Sequence, residues 1–415
     1  MPATSHFGEI VQATRSEGLK RLTAFVPNAG RAYSATRNSD FGPDDRSNVS
    51  TLSPWIRHRL VLEQEVVETV LRKHSFSAAQ KFVDEVFWRT YFKGWLEHRP
   101  QVWSRYRSDV EQLAAELEYD DELRDRFEAA VGGRTGIECF DAWAHELVDT
   151  GYLHNHARMW FASIWIFTLR LPWQLGADFF LRHLLDGDPA SNTLGWRWVG
   201  GLHTKGKTYL ARASNIERFT HGRFNPVGQL ATTAPPLTEP DLGPLVPIAR
   251  PNQFETCRPF ALLITEEDCY PENLKIPGKP EALIGVSTPG IRSLLPGSTR
   301  VEQFTSAAVQ DAVDRCADHF GLAHEHHNSN NWPRTLAVWA KQTDVKTIVT
   351  AHVPTGPTAD LMAQVKAELH EIGTELVQLR RAYDEAVWPH ANRGFFGLKS
   401  KIPKLLSELN LVGAE

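Results

Sequence analysis

The strongest constraint on the fold of this 415-residue chain is a change of hydrophobic pattern across a proline-rich segment at residues 229–251. Before this segment, apolar residues recur at the spacing of helices, and no run before Pro226 is typical of a strand. After it, short β-type runs alternate with helical patterns, as in parallel sheets. We therefore predict a helical domain at residues 1–228, an extended linker at 229–251 and a small doubly wound α/β domain at 252–415.

The periodicity also predicts individual elements. Helices are expected at residues 60–99 with a break at 76–80, and then at 109–131, 139–150, 155–169 and 176–185. Strands are expected at 260–265, 282–287, 347–353 and 375–379, with helices near 306–319, 332–342 and 357–372 between them. No glycine-rich dinucleotide motif or Walker loop follows these strands, so no motif indicates nucleotide binding in the α/β part.

Composition narrows the class of protein. The net charge of −5 excludes a global polycation, so contact with nucleic acid requires a local basic face. The four cysteines contain no Cys-x-x-Cys pair, which argues against a zinc ribbon or a disulfide scaffold and favours a reduced cytoplasm. No apolar run reaches the roughly 18 to 20 residues of a membrane span, and no signal pattern opens the chain. A cytoplasmic protein without a membrane partner is expected.

The richest chemical signal lies between residues 152 and 198. Asp186 and Asp188 bracket a glycine, Arg158 is able to pair with them, and an amide and two indoles follow closely at Asn192, Trp196 and Trp198. This mixture suits a buried, electron-rich ring system better than a plain core. His154 and His156 invite a metal or acid–base interpretation, but no third ligand stands at a suitable spacing, so no metal is predicted.

Two further motifs precede this region. Ser50 and Ser53 stand before a helical run, where they serve either as ordinary helix caps or as part of a pyrophosphate site. Glu85, Trp88 and Arg89 fall on neighbouring faces of one helix, which fits either a solvated face with a core tryptophan or a binding wall.

Taken in order, these motifs resemble the flavin-binding half of the photolyase/cryptochrome family, from about Tyr33 to Pro226. Tyr33-x-x-x-Arg37, Val49-Ser-Thr-Leu-Ser-Pro54, Glu85-x-x-Trp-Arg89 and Asp186-Gly-Asp188 each match a family motif. Within the match, Val49 replaces a threonine, Arg59 stands where a glycine is usual, and Tyr152 replaces a tryptophan.

The resemblance implies non-covalent FAD as the cofactor. The residues that it assigns to the FAD site are Tyr33, Val49, Ser50, Thr51, Leu52, Ser53, Arg89, Asn155, Arg158, Asp186, Asp188 and Asn192. Asn192 matches the residue that faces flavin N5 in repair-type members, and Arg158 would pair with Asp186.

It also implies UV-damaged DNA as the partner. The residues assigned to substrate and DNA are Arg37, Glu85, Trp88, His156, Met159, Trp198, Lys205 and Lys207. Asn155 and Met159 share a helix face by their spacing and match enzymes for cyclobutane pyrimidine dimers, whereas enzymes for six-four photoproducts carry histidines there.

Electron transfer is implied through tryptophans. Glu85, Asn155, Trp173, Trp196 and Trp198 are the residues predicted to act in the reaction. Trp196 and Trp173 match the proximal and middle members of the family's chain, and Trp103, Tyr106 and Trp160 all stay open as the distal member. The basic run at residues 197–223 is either a solvated surface or a phosphate-binding rim, and the rim is preferred because it directly follows Trp198.

The resemblance implies a light-driven deoxyribodipyrimidine photolyase, a carbon–carbon lyase that is expected to act as a monomer on UV-damaged DNA. Family members begin with the α/β domain, which often holds an antenna pigment, so this chain is expected to be shortened and permuted, with no antenna assigned. One alternative is a cryptochrome-like blue-light sensor that passes the signal to a protein partner. Another is a flavoprotein that has become a DNA-binding or scaffolding module.

Overall fold

Helices fill the first half of the chain. The structure is a computed structural model that describes residues 11–250, 252, 254, 258–329 and 331–411. In order, the helices of this half are α1 (Arg15–Phe25), α2 (Arg31–Thr36), α3 (Ser53–Arg57), α4 (Glu63–Leu71), α5 (Phe76–Glu97), α6 (Pro100–Tyr119), α7 (Asp121–Val131), α8 (Glu138–Thr150), α9 (Asn155–Ser163), α10 (Trp173–His183), α11 (Pro189–Val199) and α12 (Ala213–Phe219). A π-helical turn, Ile164–Thr168, continues α9.

Helix α5 is the longest of this half, and residues along most of its length are buried. Its start is fixed by Ser75, whose hydroxyl oxygen accepts a hydrogen bond from the Ala78 amide at 3.4 Å. The predicted break at residues 76–80 is therefore wrong: the break lies just before Ser75, and α5 begins immediately after that cap. Similarly, Asp120 caps a new helix and divides the predicted helix 109–131 into α6 and α7.

The second half contains a five-stranded parallel sheet with the order β3-β2-β1-β4-β5. The strands are β1 (Ala261–Thr265), β2 (Ala282–Ser287), β3 (His324–Asn328), β4 (Thr347–Ala351) and β5 (Glu375–Leu379). The helices that connect or follow them are α13 (Thr299–Phe320), α14 (Trp332–Gln342), α15 (Pro357–Glu371), α16 (Ala382–Val387), α17 (Phe395–Lys399) and α18 (Ile402–Glu408). The predicted class, a helical domain followed by a doubly wound sheet, is confirmed.

Alternating side chains of the central strand reach two different cores. Leu262 and Ile264 of β1 pack with α13 and the helical half, whereas Leu263 packs with Trp332 and Leu336 of α14 on the other face. Helices on both faces explain why β1, β2 and β4 are nearly continuous buried runs.

The end of the chain returns to the helical half. Helices α16 and α17 pack against α5, and buried residues of α16, α17 and α18 belong to the same hydrophobic core as the first twelve helices. The domain boundaries near 228 and 251 stay a prediction.

Residues 229–250 contain no helix or strand and lie along the helical half. The Val246 amide donates to the His98 carbonyl at 2.9 Å, and Arg197 forms an ion pair with Glu239 at 2.5 Å. Across the described ranges, none of the helices is both long and apolar enough to cross a bilayer.

Candidate functional site

A cavity of about 650 Å³ opens between α5, α9, α10 and α11, with the loop before α3 along one side. Most of the residues that the sequence singled out line it. They are Tyr33, Arg37, Val49, Ser50, Thr51, Leu52, Ser53, Glu85, Trp88, Arg89, Asn155, His156, Arg158, Met159, Asp186, Asp188, Asn192, Trp196 and Trp198. Trp173, Lys205 and Lys207 are the predicted site residues that do not line it.

Two buried aspartates stand in the turn between α10 and α11. Arg158 Nη2 lies 3.0 Å from Asp186 Oδ2, so the predicted ion pair is present. Burial by itself raises the pKa of Asp186, but Arg158 and Arg89 outweigh burial and hold that pKa below its usual value. The other oxygen, Oδ1, has no hydrogen-bond partner among the described residues. A buried, ionised oxygen without a partner is costly unless a ligand contacts it.

Asp188 has a structural and an electrostatic role. Its Oδ1 accepts a hydrogen bond from the Ser191 amide at 2.7 Å and so caps α11. Oδ2 lies 3.6 Å from Lys93 Nζ and 3.9 Å from Arg89 Nη1, too far for hydrogen bonds. Despite burial, these cations hold the pKa of Asp188 well below its usual value. Oδ2, Lys93 Nζ and Arg89 Nη1 all lack a hydrogen-bond partner among the described residues.

The loop before α3 has an unusual backbone. Thr51 has φ of +50°, in the left-handed region, and the Leu52 amide donates to the Ser50 hydroxyl at 3.4 Å. On the other side of α3, Arg59 also lies in the left-handed region, at φ of +52°. The resemblance predicts a glycine at this position. Both nitrogen–oxygen contacts between Arg59 Nη2 and the Asp384 carboxylate are 2.8 Å, which anchors this strained residue.

Glu85 faces the cavity beside Arg37 and Tyr33. Its carboxylate forms an ion pair with Arg37. Burial raises the pKa of Glu85, and Arg37 opposes that rise. The pKa of the Tyr33 phenol is also raised, first by burial and then by the charge of Glu85. This wall therefore favours a protonated carboxyl more than open solvent does.

Helix α9 places Asn155 and Met159 on the cavity, one turn apart. His156 stacks on Trp160 with ring centroids 4.0 Å apart, and its ring nitrogens contact the Asn38 carbonyl at 3.0 Å and the Tyr209 hydroxyl at 3.2 Å. The histidine is thus held by protein groups.

Helix α11 contributes the amide and the two indoles. Asn192 Nδ2 donates to the Ala177 carbonyl at 2.7 Å, which fixes the amide in the cavity wall. Trp198 stacks on Tyr209 with centroids 5.6 Å apart. Trp196 approaches the backbone of α10 at Gly176, where a Cβ atom would lie 2.3 Å from the indole. Only glycine accommodates this contact without a shift.

Trp173 lies away from the cavity but in line with further rings. It is on α10, one turn before Gly176, and stacks on Tyr106 with centroids 5.7 Å apart. Tyr106 in turn contacts Trp103 at 5.4 Å. Trp160 stacks on Trp143 instead, at 5.4 Å. Of the three distal candidates, Tyr106 and Trp103 therefore continue from Trp173.

Sequence reasoning missed several lining residues. Phe92 lies one helical turn after Trp88, and this spacing was a usable signal. Phe180 and Phe219 look like ordinary core residues in sequence, and only their position beside the cavity distinguishes them. Sequence reasoning also missed Phe395, which supports the cavity wall from behind. Its ring stacks on Trp88 with centroids 3.8 Å apart and planes at 14°.

Most of the helical half is similar in sequence to proteins that are already known. Residues 82–234 match the family model described as the FAD binding domain of DNA photolyase. A deoxyribodipyrimidine photo-lyase of Neurospora crassa is 31% identical over 204 residues, which are 48% of this chain and 32% of that protein. One from Thermus thermophilus is 36% identical over 167 residues, 40% of this chain and 38% of that protein.

A chloroplastic/mitochondrial cryptochrome DASH of Oryza sativa is 28% identical over 175 residues, 41% of this chain and 29% of that protein. Among solved structures, a class III photolyase from Agrobacterium tumefaciens has 26% identity and a TM-score of 0.43, covering 52% of this chain and 44% of the other. The chain spans about a third of the length of the curated relatives it matches.

Proposed function

We propose, from the match of residues 82–234 to the FAD binding domain of DNA photolyase, that this chain is a light-driven repair enzyme for cyclobutane pyrimidine dimers. One observation carries the proposal. A single cavity is lined by the Arg158–Asp186 pair on one side and by Glu85, Asn155 and Met159 on another. It therefore brings together one set of groups suited to a flavin and a second set suited to a pyrimidine pair.

The cavity fits FAD in size and in chemistry. Its volume of about 650 Å³ lies within the range of roughly 300–1,000 Å³ that cofactor sites occupy. Asp186 and Asp188 supply acceptor oxygens, and Arg89 a guanidinium nitrogen near them, that have no hydrogen-bond partner among the residues the structure describes. Ser50 and Ser53 add hydroxyl groups suited to phosphate oxygens. These residues would hold the ring, the ribose and the pyrophosphate.

FAD held by these residues would supply, when reduced and excited by light, the electron that splitting the pyrimidine dimer requires. Glu85 then has a defined task, because its carboxyl group faces the cavity and burial raises its pKa. A protonated carboxyl donates a hydrogen bond to a pyrimidine carbonyl oxygen and stabilises negative charge that develops there. Arg37 holds the carboxyl in position.

Asn155 and Met159 recognise the lesion in this proposal. The amide of Asn155 offers both a donor and an acceptor to base edges, and the Met159 thioether offers a polarisable apolar surface. Trp198 completes an apolar wall for bases that have left the helical stack. No histidine occupies the places of Asn155 and Met159, which favours cyclobutane dimers over six-four photoproducts.

Reduction of the flavin would use the aromatic series that begins at Trp196. Trp196 lines the cavity and contacts α10 at Gly176, and Trp173 stands one turn earlier on α10, where Tyr106 and Trp103 continue the series. We propose this route over Trp160. Phenylalanine at Trp196 is expected to abolish or slow photoreduction of oxidised flavin while repair by chemically reduced enzyme persists, and Trp160→Phe is the matched control.

The proposal is tested by illuminating the reduced FAD-loaded protein with an oligonucleotide that contains one cyclobutane dimer and counting restored pyrimidines. Glu85→Ala should lower the repair yield more than DNA affinity, because its hydrogen bond matters most to the charged state. Glu111→Ala, at an exposed glutamate on α6, should leave both unchanged.

Failure to retain FAD would contradict the proposal at its base. Splitting of six-four photoproducts with cyclobutane dimers left intact would overturn the roles of Asn155 and Met159. If the protein photoreduces normally and repairs neither lesion, the cryptochrome-like sensory function replaces repair.

A further inference from the structure

A segment near the end of the described chain is basic. Residues 386–407 contain Arg393, Lys399, Lys401 and Lys404 and no acidic residue. The same segment carries Phe396, whose surface is 81% exposed, the largest exposed fraction among the bulky apolar residues of the described chain. Phe395, its neighbour, is buried. An exposed ring among cations suits a partner with both aromatic faces and negative charge.

This segment is fixed to α5 beside the cavity. Phe395 stacks on Trp88, which lines the cavity. The Tyr91 hydroxyl donates to the Arg393 carbonyl at 2.9 Å, and Lys399 Nζ lies 2.6 Å from Asp84 Oδ2. Because these contacts come from consecutive turns of α5, the segment follows the helix and keeps Phe396 close to the wall formed by Trp88.

A second basic segment, residues 203–207, contacts the same tyrosine of α5, Tyr91. The Tyr91 hydroxyl also contacts His203 Nε2 at 3.2 Å, and His203 packs against Phe92 with centroids 5.7 Å apart. Lys205 and Lys207 follow directly and are exposed. Within the part of the chain that the structure describes, four cations have no carboxylate partner on these two segments: Arg393, Lys401, Lys205 and Lys207. Their segments contact the cavity walls through Phe395, which stacks on Trp88, and His203, which packs against Phe92.

We propose that residues 393–404 form a DNA-binding surface beside the cavity, in which Phe396 stacks on a base that has lost its pairing partner and Arg393 and Lys401 contact strand phosphates. The inference rests on the proposed function, since the damaged pair in the cavity leaves unpaired bases next to it. Stacking on an aromatic ring tolerates any base sequence, and phosphate contacts add a salt-dependent component.

The two adjacent phenylalanines of this surface have different roles. Buried Phe395 anchors the segment on Trp88, so that its neighbour Phe396 projects into solvent without loosening the helix. Gly394 and Gly397 flank the two rings, and a Cβ atom at either glycine would meet no atom within 4 Å. The backbone on both sides of this pair is therefore not covered by other side chains, and with Phe396 exposed this leaves room for a strand.

The test uses the full chain loaded with FAD and fluorescence anisotropy on a duplex that contains one cyclobutane dimer. Phe396→Ala should weaken binding about tenfold, which is the loss expected for one base–aromatic stack. Phe396→Trp should retain affinity and Phe396→Leu should not, because stacking requires a ring. Tyr119→Ala, at another strongly exposed ring on α6, is the control and should have no effect.

Salt dependence separates the charges from the ring. The double variant Arg393→Gln and Lys401→Gln should lower the slope of log affinity against log salt by about two, while Phe396→Ala should leave that slope unchanged. Normal affinity in Phe396→Ala, alongside tight binding by the parent protein, overturns the inference and leaves the proposed function intact. Tight DNA binding that depends on Phe396 without any repair overturns the proposed function instead. No binding to any DNA overturns both.

Discussion

Two groups of buried charges, one at the junction of the sheet with the helices and one in the cavity, are built from the same residue types but are completed differently. At the junction, Glu266, Glu267 and Asp268 follow β1, and each of their carboxylate oxygens has a protein hydrogen-bond donor. In the cavity, Asp186 and Asp188 each keep one oxygen with no such partner among the described residues.

At the junction, side chains and backbone of the protein itself supply the hydrogen-bond donors for the buried carboxylates. Arg57 reaches across from α3 and forms a two-pronged ion pair with Glu267, with nitrogen–oxygen distances of 2.6 and 2.8 Å. These acids stand at the carboxyl end of β1, which pairs with both β2 and β4, and doubly wound sheets commonly bind ligands at such a switch point. Here the protein's own arginine occupies that end. A buried carboxylate with both oxygens paired thus indicates a structural contact, whereas one with an unpaired oxygen beside a cavity indicates a ligand site.

The largest expected effect is at the junction. Arg57→Met should lower the free energy of unfolding by about 3–5 kcal/mol, because Glu267 is left buried without its counter-ion. Urea unfolding of the FAD-loaded protein measures this loss. The double variant Arg57→Met and Glu267→Met should recover most of it, since no charge then stays buried alone. A single-variant loss near zero would show that the junction is wetter than its geometry indicates.

The next effect is on the cofactor. Asp186→Asn should weaken FAD retention about 10- to 100-fold, because a hydrogen bond to a charged group contributes about 1.5–3 kcal/mol. Equilibrium dialysis against free FAD measures this directly. Asp178→Asn is the matched control: Asp178 is equally buried and pairs with Arg182 at 2.7 Å, but it does not line the cavity. That control should lower stability and leave FAD affinity unchanged; the reverse pattern would contradict the comparison.

The difference between junction and cavity also marks what sequence predicts. The cavity residues fall in short motifs, so their order along the chain is visible, and the fold class follows from local periodicity. The junction pairs Arg57 with Glu267, 210 positions away, and no local pattern reports such a contact. The stacking of Phe395 on Trp88 was missed for the same reason.

Local signals failed where an element is short or polar. Strand β3 (His324–Asn328) was not predicted, because three histidines and a glutamate give it no apolar alternation, and it needs none at the sheet edge. Helices α1 and α2 were also missed, and α2 has only 6 residues. In contrast, α14 (Trp332–Gln342) begins and ends where its pattern predicted.

The half-buried His203, which has no carboxylate partner among the described residues, gives a third, smaller effect. Burial, together with Arg197 and Arg99, lowers the pKa of His203 to about 3. Because the folded pKa lies below the unfolded value of about 6.5, the unfolded chain binds more protons in between. Stability from neutral His203 is therefore complete above pH 6.5 and is lost as the pH falls towards 3. Between pH 6.5 and 5 this loss should be about 1–2 kcal/mol.

His203→Gln should remove that part of the acid sensitivity, measured as the difference in unfolding free energy between pH 6.5 and pH 5. The matched control is His370→Gln on α15, whose side chain is exposed. An unchanged pH dependence in His203→Gln would show that the imidazole is hydrated in the folded protein.

The smallest effect is expected for an exposed ion pair, Arg72 with Glu68. It tests whether burial is the reason that the other substitutions have larger effects. Arg72 Nη2 lies 2.5 Å from Glu68 Oε1, closer than Arg57 to Glu267, but the side chains are 73% and 38% exposed. Water and salt screen the attraction, and holding two long side chains costs entropy. Arg72→Gln should therefore change the free energy of unfolding by less than about 0.5 kcal/mol, and by less still at high salt. A loss comparable to that of Arg57→Met would mean that distance, and not burial, sets the energy of these pairs.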